Sequence, residues 1–269
     1  MTVDRNAAFV GSVPESYDRE LGPMWFQPFA EDLAKRIGAL APRALLETAC
    51  GTGISTRAIL GRLPADARLT ATDLNQPMID YARRAVDADP RLEWRTADMT
   101  ALPFGDGGFD AMACQFGMMF APDKAAAARE ARRVLRHGGS FVFSVWDSMA
   151  HNPIAAIADR VVGELFPSDP PPFYRTPYGY HDRDTLTGLA RTAGFGAVAL
   201  ETVRLPVERP SARSVALGLI EGQPIRAQIV ERGGEPGRVV DAMERALVRE
   251  LGDAPMRTSM QALVVTARA

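Results

Sequence analysis

Lysine is nearly missing from this chain of 269 residues: Lys35 and Lys124 are the only two, and arginine carries the remaining positive charge. That bias fits a GC-rich coding sequence and bears on no activity. Cysteine is as scarce, and Cys50 and Cys114 alone support neither a disulfide framework nor a cysteine-rich zinc site. The three histidines, His137, His151 and His181, are scattered, and no metal is expected. No apolar run approaches the ~20 residues that span a bilayer. The opening Met1-Thr2-Val3-Asp4-Arg5-Asn6 lacks the basic and apolar regions of a signal peptide, so a cytoplasmic protein with no membrane partner is expected. A formal net charge of −2 offers no general attraction for phosphate backbones, which argues against a nucleic-acid partner.

What the chain does contain is an ordinary globular composition, 46% apolar and 24% charged, at a length that suits one large decorated domain better than two independent ones. Its most informative stretch is Glu47-Thr48-Ala49-Cys50-Gly51-Thr52-Gly53, which follows the apolar Ala44-Leu45-Leu46 and precedes a helix-like run from Ile54. A strand, a glycine turn and a helix in succession let a ligand approach bare backbone at Gly51 and Gly53 and turn unpaired helix N–H groups toward it. A second apolar strand, Arg68-Leu69-Thr70-Ala71-Thr72, ends on Asp73, where a carboxylate can accept hydrogen bonds from ribose hydroxyls. A glycine turn alone is weak evidence. The third glycine of the dinucleotide pattern would fall at Thr56 and is missing, which argues against a pyrophosphate packed on the helix. Glu47 stands four residues before Gly51, where it can face the amino group of an amino-acid moiety.

Together, Glu47-x-x-x-Gly51-x-Gly53 and Asp73 resemble the first two motifs of class I methyltransferases that use S-adenosylmethionine. The resemblance continues through Arg95-Thr96-Ala97-Asp98-Met99-Thr100 and Gly108-Phe109-Asp110-Ala111, similar to the third motif and fourth strand, and through Arg129–Ser140, similar to the family's helix, glycine C-cap and fifth strand. It is closest to the ubiquinone/menaquinone-biosynthesis-like (type 11) branch. The resemblance implies S-adenosylmethionine as cofactor and S-adenosylhomocysteine as product. It implies that Asp98 meets the adenine amino group and that the backbone at Gln115 lies near the methionine part. The implied cofactor set is Tyr17, Glu47, Ala49, Cys50, Gly51, Gly53, Asp73, Leu74, Met78, Asp98, Met99 and Gln115. Where the family commonly has glycine, this chain has Ala49, which tolerates a strand-end conformation and is strained at positive φ.

The expected architecture is α/β, a Rossmann-like doubly wound sheet of seven mostly parallel strands, with an N-terminal helical segment and a helical cap insertion before the last strand. Along 1–269 this reads as one domain: a helical lid over 1–40, a cofactor-binding core over 41–150, the rest of the core with an aromatic loop over 151–209, a cap over 210–253 and a last strand within 254–269. Expected strands are 44–49, 68–73, 91–96, 109–115, 140–147, 197–206 and 261–267; expected helices are 29–40, 54–62, 76–88, 123–136, 152–165 and 182–193. Phe29, Leu33, Ile37 and Leu40 make a core stripe on the first helix, whereas Tyr17, Trp25 and Phe26 lie in an irregular aromatic stretch. The Pro-rich loop 166–181 is expected to be exposed and well ordered. The apolar stretch 214–224, with Leu217 inside it and one amide side chain at its end, is a candidate wall for an acceptor pocket; a homodimer contact or an extra piece of core is its alternative use.

Methyl transfer from a sulfonium is an in-line displacement by an already activated donor, so positioning is the enzyme's main task, and no metal assistance is implied. A base is needed only if the acceptor must lose a proton. His137 reads as a helix C-terminal cation, and His151 and His181 are the weak candidates for such a base. The acceptor is a small molecule whose reacting atom, carbon, oxygen or nitrogen, the residues do not name. The competing readings are a catalytically inactive cofactor-binding regulator of the same fold and a nicotinamide-dependent oxidoreductase.

Overall fold

The computed structural model describes Gly22 and residues 25–269; Tyr17 lies outside the described residues. Seven strands run through them: β1 (Ala44–Thr48), β2 (Arg68–Asp73), β3 (Leu92–Thr96), β4 (Phe109–Gln115), β5 (Leu135–Trp146), β6 (Ala197–Arg209) and β7 (Met256–Arg268). They form one sheet in the order β3-β2-β1-β4-β5-β7-β6, with the first five parallel and β7 antiparallel to both of its neighbours. Helices α1 (Gln27–Leu40), α2 (Ile54–Leu60), α3 (Gln76–Ala85) and α4 (Lys124–Val134) accompany the parallel strands. After β5 come α5 (Pro153–Leu165), the one-turn α6 (Arg175–Tyr178) and α7 (Arg183–Thr192); α8 (Ala212–Glu221), α9 (Ile225–Glu231) and α10 (Pro236–Leu251) separate β6 from β7.

Both faces of the sheet are covered, and the alternation of its side chains shows why. Leu45 and Val142 point into a core shared with Leu33, Ile37 and Ile59 of α1 and α2, while their neighbours Leu46, Phe141 and Phe143 point into the opposite core. Strands buried on both sides read as near-continuous apolar runs, and β5 supplies one as Phe-Val-Phe-Ser-Val-Trp, broken only by the small, buried Ser144. The predicted stripe on α1 holds at Phe29, Leu33 and Ile37, but Leu40 is exposed at the last turn. The segment predicted as a cap is three helices whose apolar faces, including Val215 and Leu219 of α8 and Met243 and Leu247 of α10, join the same core as β5 and the aromatic loop.

Three local readings need correction. The Gly138-Gly139 pair does not cap a helix: α4 stops at Val134, Leu135 is already extended, and Gly138 (φ 78°) sits within β5 with its N–H bonded to Ala269 O at 2.7 Å. His137 is thus an exposed strand residue and no partner of a helix dipole. β6 and β7 are longer than expected because they pair continuously from Ala197↔Arg268 to Arg209↔Met256. The expected strand stopped at Pro206, but the pairing runs through it, and β6 is an edge strand, the place in a sheet where proline is tolerated. The Pro-rich loop is exposed only in part: Pro167, Ser168, Asp169 and Pro172 face solvent, whereas Phe173, Tyr174 and Tyr178 are buried, and the Tyr174 hydroxyl donates to Leu219 O at 3.0 Å.

Gly53, at φ 86°, is held where no side chain fits. A methyl group there would stand 2.7 Å from Val86 Cγ2 and 3.2 Å from Trp94 Cη2, so its bare face allows α2 to lie close against the α3–β3 layer. Gly53→Ala is expected to destabilise the fold by about 2–4 kcal/mol, the sum of left-handed backbone strain and overpacking. Chemical denaturation of the variant beside the parent checks it; an unchanged midpoint would show that α2 moves away freely.

Candidate functional site

The carboxyl ends of β1, β2 and β4 meet where the strand order reverses, and a cavity of about 770 Å³ opens there. Its wall contains Ala49, Gly51, Asp73, Leu74, Met78, Asp98, Met99 and Gln115, eight of the residues predicted from sequence. A smaller recess of about 270 Å³ on the other side of Gly51 and Gln115 adds Cys50, together with Thr52, Ile54 and Ser55 from the start of α2.

The polar wall residues are fixed by specific hydrogen bonds. Asp73, at the tip of β2, accepts from Gly51 N–H at 3.0 Å through one carboxylate oxygen and from Asn75 N–H at 2.8 Å through the other. Burial pushes the Asp73 carboxyl up, while the amides of Asn75 and Gly51 pull it down. Asp98 Oδ1 accepts from the Thr100 N–H and hydroxyl, closing the loop that follows β3. Gln115 donates from Nε2 to Phe26 O at 3.0 Å, and its Oε1 is buried with no partner. Gly51, at φ 56°, has nothing within 4 Å of where a side chain would begin. Ala49 does not keep the expected strand-end conformation but turns left-handed at φ 53°. Gly117 makes room for it, since a methyl group on Gly117 would collide with the Ala49 Cβ and stand 2.7 Å from Cys114 Sγ.

Two predicted residues are not brought to the cavity wall. Gly53 turns its bare face toward Val86 and Trp94. Glu47 is fully buried beneath the turn, where Ser55 Oγ donates to one carboxylate oxygen at 2.5 Å and Thr56 Oγ1 to the other at 2.6 Å. It pins the first turn of α2 to β1 instead of facing a ligand amine. The weak base candidates are also elsewhere. His151 is exposed, its Nδ1 3.1 Å from Ser148 Oγ, and the His181 ring bonds Tyr178 O at 2.9 Å; neither lines the main cavity, its side recess or the aromatic cavity described below. Among the described residues no cluster of His, Cys, Asp and Glu could hold a metal ion. Both cysteine thiols are buried and raised by burial, Cys114 to about 11, so neither is a nucleophile at neutral pH.

The sequence reading missed a second cavity of about 390 Å³, lined by Trp25, Phe26, Phe116, Met119, Phe120, Trp146, Phe173, Pro177, Tyr178 and Gln223. It shares Phe116 and Phe120 with the larger one. The Phe116 ring stacks on Trp146 at 3.8 Å and 12°, although its backbone is left-handed at φ 52°, a conformation that costs a bulky residue on the order of 1–2 kcal/mol. The available signal was the aromatic density of 173–180 and of Trp25-Phe26; pattern alone could not say that the two segments converge. Gln223 does reach this cavity from the predicted wall segment, but Leu217 does not.

Burial raises the Glu47 carboxyl to about 7 against the pull of the Ser55 and Thr56 hydroxyls, with the Asp73 charge raising it further. A folded-state value above the unfolded one means that stability is fully present below about pH 4.5 and is lost as pH rises through 7. Glu47→Gln, a neutral stand-in for the protonated acid, is expected to remove on the order of 2 kcal/mol of this decline between pH 5 and 8. Melting curves across that range check it, and parallel slopes for parent and variant would contradict it.

Comparison with known proteins agrees with this geometry. A methyltransferase-domain family model matches residues 45–139. The ubiquinone/menaquinone biosynthesis C-methyltransferase UbiE of Paracoccus denitrificans is 34% identical over 180 residues, covering 59% of this chain and 70% of that protein. The demethylmenaquinone methyltransferase of Clavibacter sepedonicus is 28% identical over 174 residues, covering 61% and 70%. Among solved structures, a Haemonchus contortus phosphoethanolamine N-methyltransferase 2, in complex with phosphomonomethylethanolamine and S-adenosylhomocysteine, superposes with a TM-score of 0.62 at 14% identity, over 98% of this chain and 59% of that one. The [4+2]-cyclase SpnF superposes at 0.52 with 20% identity, over 88% and 80%, so likeness of fold alone does not specify transfer. The motif residues at the strand ends and the kinship with the Paracoccus protein carry that step: the chain belongs to the class I S-adenosylmethionine-dependent methyltransferases.

Proposed function

We propose that the larger cavity and its side recess take S-adenosylmethionine and that the aromatic cavity takes a small, flat acceptor. The observation that carries this reading is the shared wall, Phe116 and Phe120, between a polar-rimmed cavity and an aromatic one. The residues present suit the cofactor. Asp73 and Asp98 offer carboxylate oxygens for ribose hydroxyls and an adenine amino group, and Leu74, Met78 and Met99 offer apolar surface for the base. The unpaired Gln115 Oε1 suits an ammonium at the recess, a task the sequence reading gave to Glu47. Open space beside Gly51 admits a ligand against bare backbone.

S-adenosylmethionine held by these residues would supply an activated methyl group, with the sulfur–carbon electron pair remaining on sulfur as S-adenosylhomocysteine and any proton displaced from the acceptor leaving to water. The chain's own contribution is positioning and exclusion of water. Phe116, held by its stack on Trp146, and Phe120 keep the space between the two cavities apolar. With no histidine at either cavity, this reading favours an acceptor that reacts without a protein base. The relatives named for C-methylation in ubiquinone and menaquinone biosynthesis make a quinone-type ring the first acceptor to assay, and an aromatic slot is compatible with one. The predicted lid and cap enter this proposal through Trp25, Phe26 and Gln223, which line the slot beside the buried loop residues Phe173 and Tyr178.

Calorimetry with S-adenosylhomocysteine is expected to give one site per chain. Gly51→Val should abolish binding by occupying ligand space, and Asp73→Ala should weaken it by about 1.5–3 kcal/mol, roughly 10–100-fold. Unchanged affinity in Asp73→Ala would remove the ribose role. A screen for S-adenosylhomocysteine release, begun with quinone-type rings and widened to other flat aromatics, is expected to find acceptors among them; turnover confined to non-aromatic metabolites would overturn the acceptor assignment.

A further inference from the structure

The aromatic cavity is not wholly apolar, because two of its wall residues carry buried polar atoms that bond to nothing. Among the described residues, Trp25, only 2% exposed, has no partner for its Nε1–H, and Gln223 has none for its Oε1. Trp25 stands just before α1, and Gln223 lies in the turn between α8 and α9; both are outside the span of residues 45–139 that matches the family model. An indole N–H can only donate and an amide oxygen can only accept, and leaving either unsatisfied in a buried site forfeits its solvation. The surrounding Phe116, Trp146, Phe173 and Tyr178 rings offer no exchange partner near enough to bond them.

We propose that Trp25 and Gln223 form the recognition pair of this cavity, selecting an occupant whose polar edge accepts one hydrogen bond and donates another. The inference rests on the acceptor-cavity reading above and adds its specificity. A single hydroxyl on an aromatic ring meets both demands: its oxygen accepts from the indole, its proton goes to the amide oxygen, and the ring lies among the aromatic side chains. An ether satisfies only the indole. A hydrocarbon satisfies neither and leaves two buried groups unpaired, which is the stronger source of discrimination.

The test uses the full chain saturated with S-adenosylhomocysteine and three probes of similar shape: 4-methylphenol, 4-methylanisole and toluene. Ligand-observed NMR titration is expected to rank them in that order, with about tenfold between the first two. Gln223→Leu should bring 4-methylphenol down to the affinity of 4-methylanisole and leave the anisole unchanged. Trp25→Phe should weaken both oxygenated probes and spare toluene. S-adenosylhomocysteine affinity and melting temperature, measured on each variant, separate lost recognition from lost folding, and the ranking in the parent needs no variant at all. Equal affinity for the three probes, or a Gln223→Leu variant with parental selectivity, overturns the recognition pair while leaving the acceptor cavity standing. Failure of all three to bind beside normally bound S-adenosylhomocysteine overturns the cavity's acceptor role and the pair with it.

Discussion

The hydrogen bond from Gly51 N–H to the Asp73 carboxylate holds together the part of the molecule from which the cofactor cavity is built. Between β1 and α2 the chain passes through left-handed φ at Ala49, Gly51 and Gly53, a path with few self-bonds. Cys50 N–H anchors it to Thr72 O at 3.0 Å, and Asp73 catches the very next amide, that of Gly51. Because the second Asp73 oxygen holds Asn75, one carboxylate fixes the loops after two neighbouring strands, and the cavity mouth between them has a set width. Glu47 works one layer below, securing α2 through two hydroxyls. The two acids share a strand-end neighbourhood but differ in depth: one borders the cavity and the other serves the fold under it.

On the far side of the cavity the constraint is steric. Phe116 accepts an unfavourable backbone conformation, and its N–H bond to Ser144 O at 3.0 Å, its stack on Trp146 and its edge contacts with Phe26 and Phe29 hold it there. Backbone strain kept in place by dense packing is a common property of functional walls. Gly117 and Ala49 meet so closely that the glycine is the condition for the alanine, which explains how the chain departs from the family's glycine at position 49 without losing the turn.

This chain shares its α/β fold with a cyclase of different chemistry. Its own character lies in the aromatic cavity, assembled from the stretch before α1, the end of β5, the loop after α5 and the turn after α8. Among the described residues no helix is long and apolar enough to cross a membrane. The apolar faces of α8, α9 and α10 join the main core through residues such as Val215, Leu219, Ile229, Met243 and Leu247.

The order of strands and helices was legible from residue patterns because amphipathic period and glycine turns are local properties, and the motif residues at strand ends were legible because a parallel sheet brings its carboxyl ends to one edge whatever its details. Ala49, Gly51, Asp73, Leu74, Met78, Asp98, Met99 and Gln115 were named through the resemblance to the methyltransferase motifs, and all eight line the cavity. Element ends were less legible: Pro206 and Gly138-Gly139 carry local signals of termination, and pairing with β7 overrode both. The direction of a side chain was beyond the sequence. Glu47 and Gly53 occupy motif positions, yet one points at the hydroxyls of α2 and the other at Val86 and Trp94. The aromatic cavity was legible only as scattered aromatic residues, since Trp25, Trp146, Tyr178 and Gln223 lie far apart along the chain. Their meeting is decided by how α1, β5, α6 and α8 pack, a long-range outcome that no local period encodes.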